Sequence, residues 1–316
     1  MASKPGQARV GTAMAVTSVA SVQFGAALAA TLFPRTGPLG AVALRLVGAA
    51  VALVVVTRPW RAPWKAADLR NAVIFGVVLV AMNTSLYIAI SRLPLATGIT
   101  IEFLGPLSLA IATSTSGRQR AWALPAAVGV GLLGGSLRAH DVIGVIAALT
   151  AALGWASYIL MSQKVGTSTH GLAGLCLANV FGALVMAPVG AIAAGAALLR
   201  PGTAALGLAV GVLSSALPYS LDLLALRRLP TAVFGVLTSL NPAMAAIAGL
   251  LVLGQHLPSR QLLGVGFVIA ASAGVTLTQG AHRPNRRAPG TRPEVAPTVG
   301  PIAPDEDTQF QTPNSP

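Results

Sequence analysis

Charge is what this chain most conspicuously lacks. Of its 316 residues 9% are Asp, Glu, Lys or Arg, against about 25% in a soluble domain, which leaves too little polar surface to cover a water-soluble globule. Only one cysteine is present, Cys176. That excludes an intramolecular disulfide, and its apolar surroundings in sequence fit a small buried hydrophobe rather than a reactive thiol. Aromatics are few, at 5%, which argues against a cavity lined with rings for apolar cations. Motifs that carry chemistry are absent as well. The chain has no H-E-x-x-H, no cysteine pair and no G-x-x-x-x-G-K-[ST], the arrangements that hold a catalytic zinc, a structural metal or ATP. Its histidines, His140, His170, His256 and His282, fall in loops or in the tail. An enzyme, a metal site, a bound cofactor and an ATP-driven pump are thereby set aside.

Hydrophobic residues make up 54% of the sequence, and mean hydropathy is +0.74. They lie in continuous runs, not in the alternation of a membrane barrel, and many exceed the ~20 residues a helix needs to cross a bilayer. The fold class expected is an all-α integral membrane protein of ten transmembrane helices. The spans fall at 10–32, 38–57, 70–91, 95–115, 121–137, 142–162, 172–196, 203–226, 231–253 and 260–279. Gly11–Ala30 looks like a signal peptide, but nine hydrophobic runs follow it, so it reads as a retained first span. The loops between spans are short, so successive helices are antiparallel neighbours. Glycine pairs such as Gly131/Gly135 and Gly207/Gly211 have helix-packing spacing. A homodimer stays open, because such spacing serves internal packing equally well.

Basic residues set the orientation. With the N-terminus in the cytoplasm, fifteen Lys and Arg face inward and five outward, and Arg45 lies inside a span. Such a bias determines topology during insertion, so both termini are expected in the cytoplasm. It also accounts for the net charge of +13 without nucleic acid as a partner; the partners expected are the lipid bilayer and a small-molecule substrate. Residues 1–9 read as a cytoplasmic N-terminus. The segment 280–316, rich in Pro, Arg and Thr and then acidic, reads as a disordered cytoplasmic tail.

The chain also repeats itself. Ser91-Arg92-Leu93-Pro94-Leu95-Ala96 returns as Arg227-Arg228-Leu229-Pro230-Thr231-Ala232, a shift of 136 that also carries Pro106 onto Pro242, Ala89 onto Ala225 and Ala20-Ser21 onto Ala156-Ser157. The repeats are placed at 10–137 and 142–279. Five spans per repeat reverse the topology of the second, and inverted repeats place a substrate site near the midplane and support alternating access.

Three ionisable side chains sit at depth. Burying one costs about 2.5–3.5 kcal/mol on insertion scales, so each pairs or lines a wet cavity. Arg45 and Glu102 both lie ~10 Å below the outer face at 1.5 Å per residue. Equal depth and opposite sign admit either a structural ion pair or contact with a charged solute or coupling proton. Asp222, roughly 7–8 Å from the inner face, either snorkels towards Arg227 and Arg228 or forms a proton or ammonium site. Uncharged polar groups gather at mid-depth: Gln23, Asn83, Ser157, Tyr158, Asn179, Tyr219 and Asn241. Helix-to-helix hydrogen bonds explain any one of them; their spread over both halves favours a shared polar cavity. Trp60, Trp64 and Trp122 flank span ends and read as interfacial anchors.

Four stretches carry a resemblance: Gln23-Phe24-Gly25-Ala26-Ala27-Leu28-Ala29 with Leu32-Phe33-Pro34, Ala43-Leu44-Arg45-Leu46, Glu102-Phe103-Leu104-Gly105-Pro106-Leu107, and Ser215-Ala216-Leu217-Pro218-Tyr219-Ser220-Leu221-Asp222. Over about residues 10–279 the chain resembles the threonine/homoserine exporter family of EamA-type transporters, within the drug/metabolite transporter superfamily. The resemblance implies a bacterial inner-membrane exporter of small amino acids, driven by an ion gradient, with Gln23, Arg45, Glu102, Tyr219 and Asp222 on motif positions. Two positions depart from that pattern. Asn241 stands where the family has an acid before the proline of the ninth span, and Leu253-Gly254-Gln255 replaces Leu-Gly-Glu. The function expected is secondary active export of threonine/homoserine-like amino acids. Its rivals are efflux of drugs or other small metabolites by the same fold, and a non-transporting membrane scaffold or sensor. The site candidates are Gln23, Arg45, Asn83, Glu102, Tyr158, Tyr219, Asp222 and Asn241.

Overall fold

The computed structural model describes residues 5–114, 116–134, 141–168 and 172–281. They form helices α1 (Pro5–Ala30), α2 (Phe33–Thr57), α3 (Ala66–Ile90), α4 (Leu95–Glu102), α5 (Leu104–Ala112), α6 (Gly117–Arg120), α7 (Ala123–Gly134), α8 (Val142–Ser168), α9 (Leu172–Ala194), α10 (Pro201–Gly211), α11 (Leu217–Leu226), α12 (Thr231–Thr238), α13 (Asn241–Leu253) and α14 (Ser259–Ala281). Among the described residues nine helical segments are long and apolar enough to cross a membrane. The fifth expected span, 121–137, is represented by α7 after a turn at Ala121 and Trp122, and 135–137 lie outside the described residues. The described surface is greasy: Ile192 is 88% exposed, Leu153 72% and Leu184 70%. Such exposure is intolerable in water and ordinary against lipid tails, so the protein is an all-α integral membrane protein.

Prolines decide where spans break. A proline at position i lacks the N–H that would bond the carbonyl of i−4, and its ring collides with that carbonyl. Pro106 lies four residues past Glu102, where α4 ends, and Pro242 lies four past Thr238, where α12 ends. The fourth and ninth spans are therefore each two half-helices. Pro218 acts four residues past Ser214, inside a π-helical turn, Val212–Ala216, that joins α10 to α11. There Leu217 N–H donates to the carbonyl of Val212.

The 136-residue period is visible in the backbone. α3 ends at Ile90 and α11 at Leu226, and α4 and α12 begin at Leu95 and Thr231, each eight residues long after a proline N-cap. The turns between them match bond for bond. Leu93 N–H donates to Ala89 O at 2.9 Å and Leu229 N–H to Ala225 O at 2.8 Å. Packing follows the same symmetry: α1 lies against α11 and α13, α8 lies against α3 and α5, and α2·α9 and α7·α14 are self-matched pairs. Each half thus wraps its first helix into the other half.

Several expectations are refined by this packing. The signal-like segment is built into the bundle as α1, with Ala15, Ala26 and Ala27 buried. Gly207 and Gly211 approach α2 at Leu44 and Gly48, the packing role their spacing suggested. For the Gly131/Gly135 pair, Gly131 has open space beside it and Gly135 lies outside the described residues. Trp122 does not only anchor a span end: its indole lies on Gly274 of α14 and joins an apolar cluster with Val268 and Val275. Cys176 is fully buried among Leu53, Phe75 and Leu79. Ser157 departs from the polar cluster expected of it, because it sits on the exposed face of α8 and returns its hydroxyl to Leu153 O at 2.8 Å.

The tightest seam is α5 on α8, where a Cβ at Gly105 would lie 2.0 Å from the carbonyl oxygen of Ala152. Backbone meets backbone there, so neither side can give. Gly105→Ala is expected to destabilise the detergent-solubilised protein by about 1–3 kcal/mol, read as a fall in thermal midpoint, while Gly131→Ala leaves it unchanged.

Candidate functional site

α1, α2, the α4–α5 break, the π-turn and the α12–α13 break meet inside the bundle. A carbonyl released by proline has no water to bond within a bilayer and needs a neighbour. Two of the three have one. Ser214 O accepts from Arg45 Nη2 at 3.5 Å, and Thr238 O accepts from Asn241 Nδ2 at 2.7 Å. α1 supplies the remaining polar groups: Ser21 Oγ donates to Leu213 O at 2.6 Å and Ser18 Oγ to Pro218 O at 3.3 Å.

Gln23 and Asn241, 218 residues apart, are brought into direct contact. Gln23 Nε2 donates to Asn241 Oδ1 at 2.7 Å, which ties the first half to the second. The amide oxygen of Gln23, Oε1, is buried with no hydrogen-bond partner among the described residues, as is Ser214 Oγ. Each is a sealed acceptor next to the proline breaks, a costly arrangement unless something else bonds them.

Arg45 is 7% exposed and held by a residue that sequence reasoning passed over. Tyr87, one of three tyrosines, is fully buried. Its hydroxyl accepts from Arg45 Nη1 at 3.4 Å, and its ring lies 5.5 Å from the guanidinium carbon. Phe33 backs that ring at 5.8 Å between centroids. The available signal was a lone tyrosine among aliphatics one turn past Asn83. Glu102 is 4% exposed and within the electrostatic reach of Arg45. The two are not in contact, because no Arg nitrogen comes within 4.0 Å of a carboxylate among the described residues. The direct ion pair that equal depth admitted is absent. Glu102 sits on the half-helix end that Pro106 creates, and its carboxylate accepts no hydrogen bond there from a described residue.

The other candidates divide. Asp222 lies beside the Ser18 hydroxyl and forms no ion pair with Arg227 or Arg228; Arg228 instead bonds Leu224 O at 2.9 Å. Asn83 bonds back to Leu79 O at 2.8 Å and keeps a buried, unpartnered Oδ1. Asn179 makes the same i−4 bond, to Leu175 O at 2.9 Å. Tyr158 lies against Phe75, 5.2 Å between ring centroids, beside the Leu53–Cys176 cluster. Tyr219 lies on α11, and its side chain is outside the described residues. Gln255 caps α4 across the halves: its Oε1 accepts from Leu95 N–H at 2.9 Å. No group of three or more His, Cys, Asp or Glu suited to a metal occurs among the described residues.

What results is a desolvated cation and a desolvated anion, close but not touching, beside amide and hydroxyl oxygens with bonding capacity left over. A small zwitterion with a carboxylate and an ammonium a few bonds apart matches that arrangement. If Arg45 and Glu102 do not touch, exchanging them cannot restore what single substitutions lose. Arg45→Glu combined with Glu102→Arg is expected to show a coupling below about 1 kcal/mol in a double-mutant cycle on thermal stability, since Tyr87 and Ser214 O would then face a carboxylate.

Residues 142–277, the second half, match the EamA-like transporter family. The threonine/homoserine exporter RhtA of Escherichia coli (strain K12) is 41% identical over 266 residues, 83% of this chain and 90% of that protein. RhtA of Salmonella typhimurium (strain LT2) is 39% identical over 264 residues, covering 83% and 89%. A crystal structure at 21% identity, with a TM-score of 0.55 over 89% of this chain and 100% of that one, shares the fold. The chain belongs to the EamA-like transporter family.

Proposed function

We propose that the protein is a secondary active exporter of small amino acids, of the threonine and homoserine kind, across the cytoplasmic membrane. The observation that carries this reading is the buried, non-touching Arg45 and Glu102 in a chain 39–41% identical to threonine/homoserine exporters. Arg45, oriented by the Tyr87 ring and hydroxyl, receives the solute carboxylate. Glu102 receives its ammonium or, when the site is empty, a coupling proton. The buried acceptors Gln23 Oε1 and Ser214 Oγ are suited to bond a side-chain hydroxyl. Asn241 holds Gln23, and Asp222 with Ser18 stands nearer the cytoplasmic mouth. Asn83, Tyr158 and Tyr219 are assigned to the walls of the path.

Residues 10–137 and 142–279 act as the two half-units of an alternating-access device, which the matched breaks at Pro106 and Pro242 support. The excess of inward basic residues places both termini, 1–9 and 280–316, in the cytoplasm. Departure from the acid at position 241 leaves an amide pair, Gln23–Asn241, so proton coupling falls to Glu102 or Asp222 rather than to that position.

Cells expressing the protein and loaded with a panel of labelled amino acids are expected to release threonine and homoserine faster than vector controls. Arg45→Ala is expected to abolish that release, and Tyr87→Phe, which keeps the ring beneath the guanidinium, to retain most of it. Release indistinguishable from vector across the whole panel would remove the amino-acid assignment.

A further inference from the structure

The two halves are alike in sequence, but one seam of the first has no match in the second. α4 packs along α13, and Gln255, just past the end of α13, closes the seam by accepting the Leu95 N–H at 2.9 Å. Subtracting the period of 136 turns Gln255 into Gln119 and α13 into α5, and adding it turns α4 into α12. Gln119 is again a glutamine, but it stays within its own half: its Oε1 accepts from Ser114 Oγ, and both residues are buried. Among the described residues α12 packs against α14 and α1, with no seam on α5 comparable to that of α4 on α13. One end of the inter-half interface is latched, and the equivalent end is not.

We propose that Gln255 and Gln119 are the two gate residues of the transporter, and that this structure is the state shut where α4 begins and released where α12 begins. On the orientation argued above, which this inference adopts, the shut side is the outer one. In the opposite state Gln119 leaves Ser114 and caps the first turn of α12, while Gln255 releases Leu95. The chemistry supports a reversible latch. A helix N-terminus leaves its first N–H groups without partners inside the helix, so α4 gains a bond when shut. A neutral amide gives a bond that breaks more readily than one from a charged group.

Geometry supplies a direct test. A Cβ at Gly249 would lie 3.6 Å from Leu95 Cβ, inside the range of about 3.5–4.5 Å that a disulfide spans. Leu95→Cys with Gly249→Cys, in a Cys176→Ala background and in native membranes, is expected to cross-link at rest, to halt export when oxidised, and to recover on reduction by dithiothreitol. The reduced protein is its own control for folding. The equivalent pair, Thr113→Cys with Thr231→Cys, is expected to cross-link slowly at rest and several-fold faster during turnover. Adding Gln255→Ala raises its resting rate by about fivefold, the worth of one hydrogen bond. Undiminished export by the oxidised first pair, or a second-pair rate indifferent to Gln255→Ala, would overturn the gate. Cross-linking is read by mass and does not depend on the solute. A wild type that exports no amino acid would therefore remove the substrate assignment while the Gln255→Ala comparison still decides the latch.

Discussion

In a hydrocarbon slab a carbonyl that loses its helical partner cannot turn to water, and this constraint organises the centre of the molecule. Pro106, Pro218 and Pro242 release the carbonyls of Glu102, Ser214 and Thr238 at the positions where spans break. Arg45 bonds one, Asn241 bonds another, and α1 brings Ser21 to the π-turn and Ser18 to Pro218 O just beyond it. The groups that repair the backbone are the groups assigned to the proposed site, because only side chains already desolvated by the bundle can reach those carbonyls.

The same economy explains why the charges stay apart. An Arg45–Glu102 salt bridge would satisfy both and leave nothing for a solute. The Tyr87 hydroxyl and ring and the Ser214 carbonyl hold Arg45 and fix its direction. The Gln23–Asn241 bond does the corresponding work between halves, joining α1 to α13 through amides. The proposed gate and the proposed site share a half-helix. α4 carries Leu95 at one end and Glu102 at the other, so a movement that frees its first turn also moves the acid.

Much of the architecture was legible in the chain. Hydropathy and length placed the described helices within a few residues, because a membrane span must be both long and apolar. The 136-residue period followed from Arg-Leu-Pro and the paired prolines, and it reappears as two turns with matching hydrogen bonds. Arg45, Glu102 and Gln23 stood out as polar groups in greasy runs. Tyr87 did not, since a tyrosine beside aliphatics looks like packing until a guanidinium is seen above it. Ser157 was grouped with the centre by depth alone, and rotation about α8 turns it outward.

The sequence by itself determined what must be buried in lipid, where backbone bonding must fail, and that the two halves are copies. Those are local matters: they depend on side-chain transfer energies and on one proline acting on the carbonyl four residues before it. Only the tertiary structure decided which released carbonyl meets which donor, that Arg45 and Glu102 stop short of contact, and that one copy of the glutamine clasps its neighbour while the other folds back on Ser114. These outcomes depend on the rotation and crossing of helices more than a hundred residues apart, and two equal repeats leave that choice open until they pack.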